Sequence, residues 1–261
     1  MSQKLSICTI AIGVALIAPQ TILPGIADAQ TSHTRTPVLV ELFTSEGCSS
    51  CPPADTFVAK LKQQQPIESA DIIVLSEHVD YWDHDGWRDR FSSPDITERQ
   101  RDYSTRLHVA DIYTPQIVVD GTQQFVGTDI PHTLSAIQQD SQQPTIALTL
   151  TKPVIDGDRV TATISIAPDQ QLKGDLYAAL VDPTDSTSVL KGENKGRDLH
   201  HVNVVRTLQR IGSLRELRSG PRSFTMNAPK DSNPAGMHLV VFAQHSDAGP
   251  IMGAISVPLM E

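Results

Sequence analysis

The stretch Pro37-Val-Leu-Val-Glu-Leu-Phe-Thr-Ser-Glu-Gly-Cys48-Ser-Ser-Cys51-Pro-Pro53 decides the fold. Residues 37 to 43 are mostly apolar and read as a buried strand, and residues 44 to 47 as a turn. Pro52 and Pro53 suit the first turn of a helix over 52–64, with Phe57, Val58 and Leu61 as its apolar stripe. A Cys-x-x-Cys that leaves a strand and opens a helix sets its first sulfur near unpaired N–H groups and the positive end of the helix dipole. That placement favours the Cys48 thiolate, and Cys51, one turn in, is placed to attack a mixed disulfide.

Outward from this motif, strands alternate with helices. Residues 71–75 read as a second buried strand and Pro94 opens a polar helix to about Leu107. Ile117-Val118-Val119 is a third strand, turned by Asp120-Gly121 into residues 124–126, and a short helix spans 131–140. This pattern predicts an α/β layer over 36–142, with the CxxC at a helix N-terminus beside a central mixed sheet. The texture changes at Gln142-Gln143-Pro144. Strands are expected over 145–151, 159–166, 175–181, 187–190, 223–226, 238–243 and 251–257, with 201–211 as another long strand and a helix only over 213–217. Residues 143–261 are therefore expected to form a separate β-rich, sandwich-like domain.

Lys4, the apolar run Leu5–Ala18 and the small-residue pattern Ala27-Asp28-Ala29 read as a signal peptide over 1–29. A run that short is no comfortable bilayer span, so no stable membrane anchor is expected after cleavage, and the protein is expected to be periplasmic or secreted. Cys8 leaves with the peptide, and Cys48 and Cys51 remain as the cysteines of the mature chain. An oxidising compartment favours a disulfide between them, yet a bridge closing so small a loop removes little chain entropy. The pair therefore points to chemistry rather than to a staple. With 21 Lys+Arg against 30 Asp+Glu the net charge is −9, which excludes a phosphate-neutralising surface and hence nucleic acid as the expected partner. The expected partners are protein or small-molecule thiols and disulfides, and no cofactor is expected.

Tyr113-Thr114-Pro115 comes just before the third strand. Pro115 after Thr114 resembles the cis-proline that faces the CxxC in thioredoxin-like proteins, and the order of elements over 36–142 resembles a thioredoxin fold. The alternative is a trans proline opening the strand. Glu41 resembles the buried carboxylate that relays protons to the second cysteine in thioredoxins, its alternative being a salt-bridged acid. The segments Glu41–Asp55, His78–Asp83, Gly86-Trp87, Arg99–Arg101, Tyr113–Gln116, Gly192–Arg197, His201–Arg206 and Met252–Ala254 are similar to the motifs of a secreted bacterial thioredoxin-like family, domain of unknown function twelve-twenty-three. That resemblance implies fold and export and brings no established reaction. Gly47 stands where thioredoxins usually carry Trp, and Ser49-Ser50 replaces Gly-Pro.

His78, Asp80, Asp83, His84 and Asp85 fall within eight residues and are candidates for zinc or copper, with the thiolates nearby. No regular ligand spacing is present, so an acidic, aromatic loop packing Tyr81, Trp82 and Trp87 is the preferred reading. His200, His201 and Asn203 could reach the face of the first domain, although such residues are more often ordinary strand polar groups. Two function classes follow. One is a thiol–disulfide oxidoreductase using Cys48, Cys51 and Pro115, supported by Thr114 and Glu41. The other is a binding or sensing module whose CxxC is a structural disulfide or a metal site.

Overall fold

Why residues 36–44 form a doubly covered strand is visible in their neighbours. The structure, a computed structural model, describes residues 35–84, 86–167 and 173–260. Strand β1 (Thr36–Thr44) pairs in parallel with β2 (Ala70–His78) and antiparallel with β3 (Gln116–Val119), which turns into β4 (Gln123–Val126). Helices α1 (Pro52–Gln64), α2 (Pro94–Arg106) and α3 (Ile130–Asp140) connect them. Alternation along β1 and β2 sends Val38, Val40, Leu42, Ile72 and Val74 to the face where Phe57, Val58 and Leu61 of α1 and Ile137 of α3 pack. The intervening Leu39, Phe43, Ile73 and Leu75 face Ile96 and Tyr103 of α2. Both faces are buried, which is why β1 reads as a nearly unbroken apolar run.

The rest of the chain forms β5 (Leu148–Leu150), β6 (Val154–Asp156), β7 (Arg159–Ile166), β8 (Asp175–Ser188), β9 (Asp198–Ser213), α4 (Leu214–Leu217), β10 (Arg222–Asn227), β11 (His238–Gln244) and β12 (Ile251–Pro258). Eight strands make one mixed sheet in the order β12-β11-β8-β9-β2-β1-β3-β4. A smaller sheet, β10-β7-β5 with β6 beside β7, packs on the far half of the large one. Val160, Ile164, Phe224 and Met226 of the small sheet meet Leu176, Leu180, Leu239 and Val241 of the large sheet, as in a sandwich.

The expected division at residue 142 does not describe this sheet. The large sheet passes through it at the parallel contact of Ser76 with Val204, and the described residues fall in one unit. The physical reason lies in the reverse faces of β8 and β11. Ala179, Val181, Val240 and Phe242 join the same core as Leu39, Phe43, Ile96 and Tyr103, so neither half buries its apolar surface alone. Beyond the Gln142-Gln143-Pro144 linker the chain is pinned at once, the Ile146 N–H donating to the Met252 carbonyl at 2.6 Å. The two strands expected over 175–181 and 187–190 are one, β8, despite Pro183. β11 pairs with β8 only as far as Val181, so the proline sits where β8 has a single neighbour.

Candidate functional site

Cys48 and Cys51 form a disulfide with Cα atoms 5.4 Å apart. Cys51 is the N-cap of α1, and Pro52 and Pro53 occupy the first helical turn. The prolines carry no N–H, and the Ala54 and Asp55 N–H groups donate to the Cys51 carbonyl. The unpaired donors expected near Cys48 are therefore largely missing, which leaves the helix dipole. The polar partner of Cys48 Sγ is the Ser50 hydroxyl at 3.4 Å. Ser49 and Ser50 are exposed, whereas both cysteines are 0% exposed. This departs from an exposed Cys48 nucleophile.

The turn that carries the pair is held by residues from the second half of the chain. The buried Asn194 amide donates to the Glu46 carbonyl at 2.8 Å and to the Cys48 carbonyl at 2.9 Å. Arg197 donates to Asn194 Oδ1 at 2.9 Å, and the Ser49 N–H donates to the Glu193 carboxylate at 3.2 Å. Gly192–Arg197 is thus a polar cap on the Cys48–Cys51 turn.

The Thr114–Pro115 bond is cis. The Pro115 carbonyl accepts from the Gly127 N–H at 2.8 Å. A Cβ at residue 127 would lie 2.7 Å from both the Ala54 and Pro115 Cβ atoms, so glycine there lets the proline approach the first turn of α1. The Thr114 hydroxyl accepts from Trp82 Nε1 at 2.7 Å. Trp82 also packs against Gly47, where an added Cβ would lie 3.0 Å from the Trp82 Cβ. Trp82 of the 80–93 loop thus links the residue before Cys48 to the residue before Pro115.

Glu41 does not face α1. It points to the α2 side, where Arg99 Nε donates to it at 2.6 Å and the Tyr103 hydroxyl donates at 2.6 Å. Glu77, on the adjacent strand β2 and the same face, lies 3.7 Å from Arg99. Burial, together with the neighbouring Glu41 charge, raises the Glu77 pKa well above the usual carboxyl value. Of the two alternatives for Glu41, the salt-bridged acid is the one found, and the relay to Cys51 is not: parity along β1 puts Glu41 and the CxxC helix on opposite faces of the sheet.

The α1 face carries a different polar centre. His78 Nδ1 bonds Asp89 Oδ2 at 2.7 Å, and Asp89 also accepts from the Glu46 and Phe91 N–H groups at 2.8 and 2.9 Å. Burial alone would lower the His78 pKa, but the Asp89 carboxylate outweighs it and the pKa is raised. Burial would likewise raise the Asp89 pKa, and His78 with the two N–H donors brings it below the usual value. His201 stacks edge-on to His78 with ring centroids 4.7 Å apart. Its Nδ1 lies 3.6 Å from Asp55 Oδ1, and its Nε2 lies 4.0 Å from Glu46 Oε1. Asp55 accepts from Thr44 Oγ1, and Glu46 Oε2 accepts from Trp87 Nε1 at 2.8 Å. Asp55 is four residues after Cys51, so it lies on the helix face of the second cysteine. His78 Nε2, both His201 nitrogens and Glu46 Oε1 are buried without a hydrogen bond. Each such group costs about 1–3 kcal/mol when left unpaired.

Of the other candidates, Asp80 accepts from the Thr97 hydroxyl and Asp83 from the Asp89 N–H. His84 and His200 are exposed, and Asp85 and residues 1–34 lie outside the described residues. The aromatic-loop reading holds for Tyr81, Trp82 and Trp87, but the same loop delivers Asp89 into the interior. Asn203 reaches the first half, donating to the Val74 carbonyl at 2.9 Å. Glu46, which beside the CxxC reads as a solvated loop acid, is instead buried, and Asn194, Asp89 and Asp55 were passed over as site residues. The signal for three of them was their position, within four residues of the cysteines or beside Trp87.

Fold and site together define a mixed α/β protein with a large central mixed sheet, few helices and a buried, capped CxxC disulfide. The chain belongs to the family described as Protein of unknown function (DUF1223), whose model matches residues 39–244. No match was found among curated proteins. The crystal structure of a structural-genomics target from Agrobacterium tumefaciens is similar, with TM-score 0.66 and 26% identity over 87% of this chain and 96% of that one. A domain of the outer membrane lipoprotein Omp28 from Porphyromonas gingivalis aligns at TM-score 0.27 and 12% identity over 45% of this chain and 89% of that one, too low to support a shared fold.

Proposed function

We propose that this protein is an exported thiol–disulfide oxidoreductase on a thioredoxin-like scaffold. The observation that carries the reading is the Cys48–Cys51 disulfide at the start of α1, with the Thr114–Pro115 turn packed towards the same helical turn. The order β1-α1-β2-α2-β3-β4-α3, with strand order β2-β1-β3-β4 and α1 and α3 on one face, supports the scaffold. Lys4, the apolar run behind it and the Ala27-Asp28-Ala29 pattern support export. In the oxidising direction a substrate thiolate attacks Cys48 Sγ, the S–S bond breaks and Cys51 leaves as a thiolate. A second substrate thiolate then attacks the substrate sulfur of the mixed disulfide and releases Cys48. Two electrons pass to the protein, which ends as a dithiol, and the substrate ends as a disulfide.

The burial of both cysteines, with Asn194 holding the Cys48 carbonyl, favours a second reading, a structural or sensing disulfide. The reduction potential, combined with trapping of mixed disulfides by Cys51→Ser, decides between them. A potential within about −120 to −270 mV and trapped partners support the oxidoreductase. A potential far below about −300 mV with no trapped partner overturns it.

A further inference from the structure

The four residues Tyr113–Gln116, just ahead of and opening β3, are held by polar side chains from three directions. Gln100 of α2 is fully buried, and its amide donates to the Tyr113 carbonyl at 2.7 Å and to Gln116 Oε1 at 2.9 Å. Gln100 Oε1 accepts in turn from the Tyr81 hydroxyl at 3.2 Å. Gln116 Nε2 donates to Gln124 Oε1 of β4 at 3.0 Å, and the Tyr113 hydroxyl donates to the same oxygen. From the 80–93 loop, Trp82 Nε1 donates to Thr114 Oγ1 at 2.7 Å. A satisfied polar network of this kind fixes one conformation of the segment it holds.

The groups that this network leaves open are informative. The Tyr113 carbonyl is taken by Gln100, and the Pro115 carbonyl by the Gly127 N–H. Among the described residues nothing pairs with the backbone N–H or C=O of Thr114, which is half-buried. Two independent links tie this residue to the disulfide turn. Trp82, bonded to Thr114, packs its Cβ against Gly47, the residue before Cys48. Gly127, bonded to Pro115, packs against Ala54, three residues after Cys51. One N–H and one C=O on the same residue are what an extended backbone needs to add as an antiparallel neighbour.

We propose that Gln100 and Trp82 are positioning residues for disulfide exchange, holding Thr114 so that its N–H and C=O pair with the extended backbone of a polypeptide thiol substrate. This rests on the oxidoreductase reading above and narrows its substrate class from thiols in general to polypeptides. A cysteine within a chain carries peptide groups on both sides of its sulfur, whereas a small thiol such as mercaptoethanol carries none. A segment fixed in advance loses less conformational freedom when the substrate docks, so the pairing yields more net affinity. Gln100 acts through the Tyr113 carbonyl, one residue before Thr114, and Trp82 through the Thr114 hydroxyl. The chemical step is unchanged: the substrate thiolate attacks Cys48 Sγ, the S–S bond breaks and Cys51 leaves as a thiolate.

The test compares how fast the oxidised, exported protein is reduced by two thiols in excess, at matched thiolate concentration. One is a capped, uncharged decapeptide with a single central cysteine; the other is mercaptoethanol. Reduction is read by acid quench and alkylation, with a thermal melt for every variant. The wild-type protein should react faster with the peptide, and N-methylation of the peptide bonds flanking its cysteine should remove that advantage. Gln100→Met and Trp82→Phe should each lower the peptide-to-mercaptoethanol rate ratio by about 10-fold or more. A merely structural role would lower the melting point and change both rates alike. A ratio that stays constant in either folded variant, or an N-methylated peptide that keeps its advantage, overturns the proposal. If Gln100→Met fails to fold, Trp82→Phe decides alone. A disulfide that neither thiol reduces overturns the oxidoreductase reading and this one with it, whereas reduction at a constant ratio overturns this one alone.

Discussion

Strands β1 and β2 each present a buried polar centre on either face, and the two centres are built on different terms. On the α2 face Glu41 is closed off by Arg99 and Tyr103, and the Arg99 guanidinium also lies over the rings of Tyr103, Tyr177 and Phe242 at 5.0–5.5 Å. Burial raises the pKa of Glu77 beside it. Nothing there lies near the cysteines. On the α1 face, one or three residues further along the same strands, His78 faces His201, with Glu46 and Asp55 alongside, and several of their polar atoms are unmatched. Two of its members, Glu46 and Asp55, flank the CxxC in sequence. The comparison teaches that burial of charge alone does not mark a site. Both centres keep unmatched atoms, the two Glu77 carboxyl oxygens among them, so the distinguishing feature is the chemistry: an arginine lies between the acids on the α2 face, whereas two imidazoles meet on the α1 face.

The comparison can be broken in four ways. Arg99→Met leaves Glu41 buried without its cation, and loss of one partner from such a pair costs about 3–5 kcal/mol. Denaturant unfolding should show that loss with the Cys48–Cys51 potential unchanged. A shifted potential would mean that the α2 face speaks to the disulfide after all.

The second test is pH. The folded pKa of Glu77 is raised above its unfolded value near 4.5. Between those values the folded state holds one proton more, so stability is full below the unfolded pKa. It falls by about 1.4 kcal/mol per pH unit as pH rises towards the folded pKa. Glu77→Gln should remove that slope and stabilise the protein at neutral pH. An unchanged slope would show that Glu77 is already ionised.

Third, Asn194→Ala uncaps the Glu46 and Cys48 carbonyls. Loss of these bonds should cost about 1–3 kcal/mol in stability and speed disulfide reduction by a small thiol, read by stopped-flow alkylation. An unchanged rate would mean that the cap does not control access. The smallest effect is expected from Ser50→Ala. It removes the hydroxyl beside Cys48 Sγ and should raise the thiol pKa of the reduced protein by less than about one unit, measured by alkylation against pH. A lowered pKa would show that Ser50 opposes the thiolate.

Much of the fold was legible in the residues. Pro52-Pro53 and the Phe57, Val58, Leu61 stripe placed α1 at its observed bounds, and the Asp120-Gly121 turn placed β3 and β4. The cysteine pair could be read as the site because it combines spacing, a preceding strand and a following helix. Glu41 stayed open between a relay carboxylate and a salt-bridged acid because an acid in an apolar strand looks the same from either side. Only the register of β1, with Val40 and Leu42 facing α1, shows which side it takes.

By itself, then, the sequence determined local structure: helix and strand positions, the tight cysteine loop and the acidic surface charge. Each follows from interactions within a few residues, where propensity, period and turn chemistry act. Only the tertiary structure decided that β9 lies beside β2 and merges the two expected domains, that Asn194 caps Cys48, and that His201 meets His78. Those contacts join residues more than a hundred positions apart. They are set by which apolar faces must be buried together, and no local pattern along the chain records that choice.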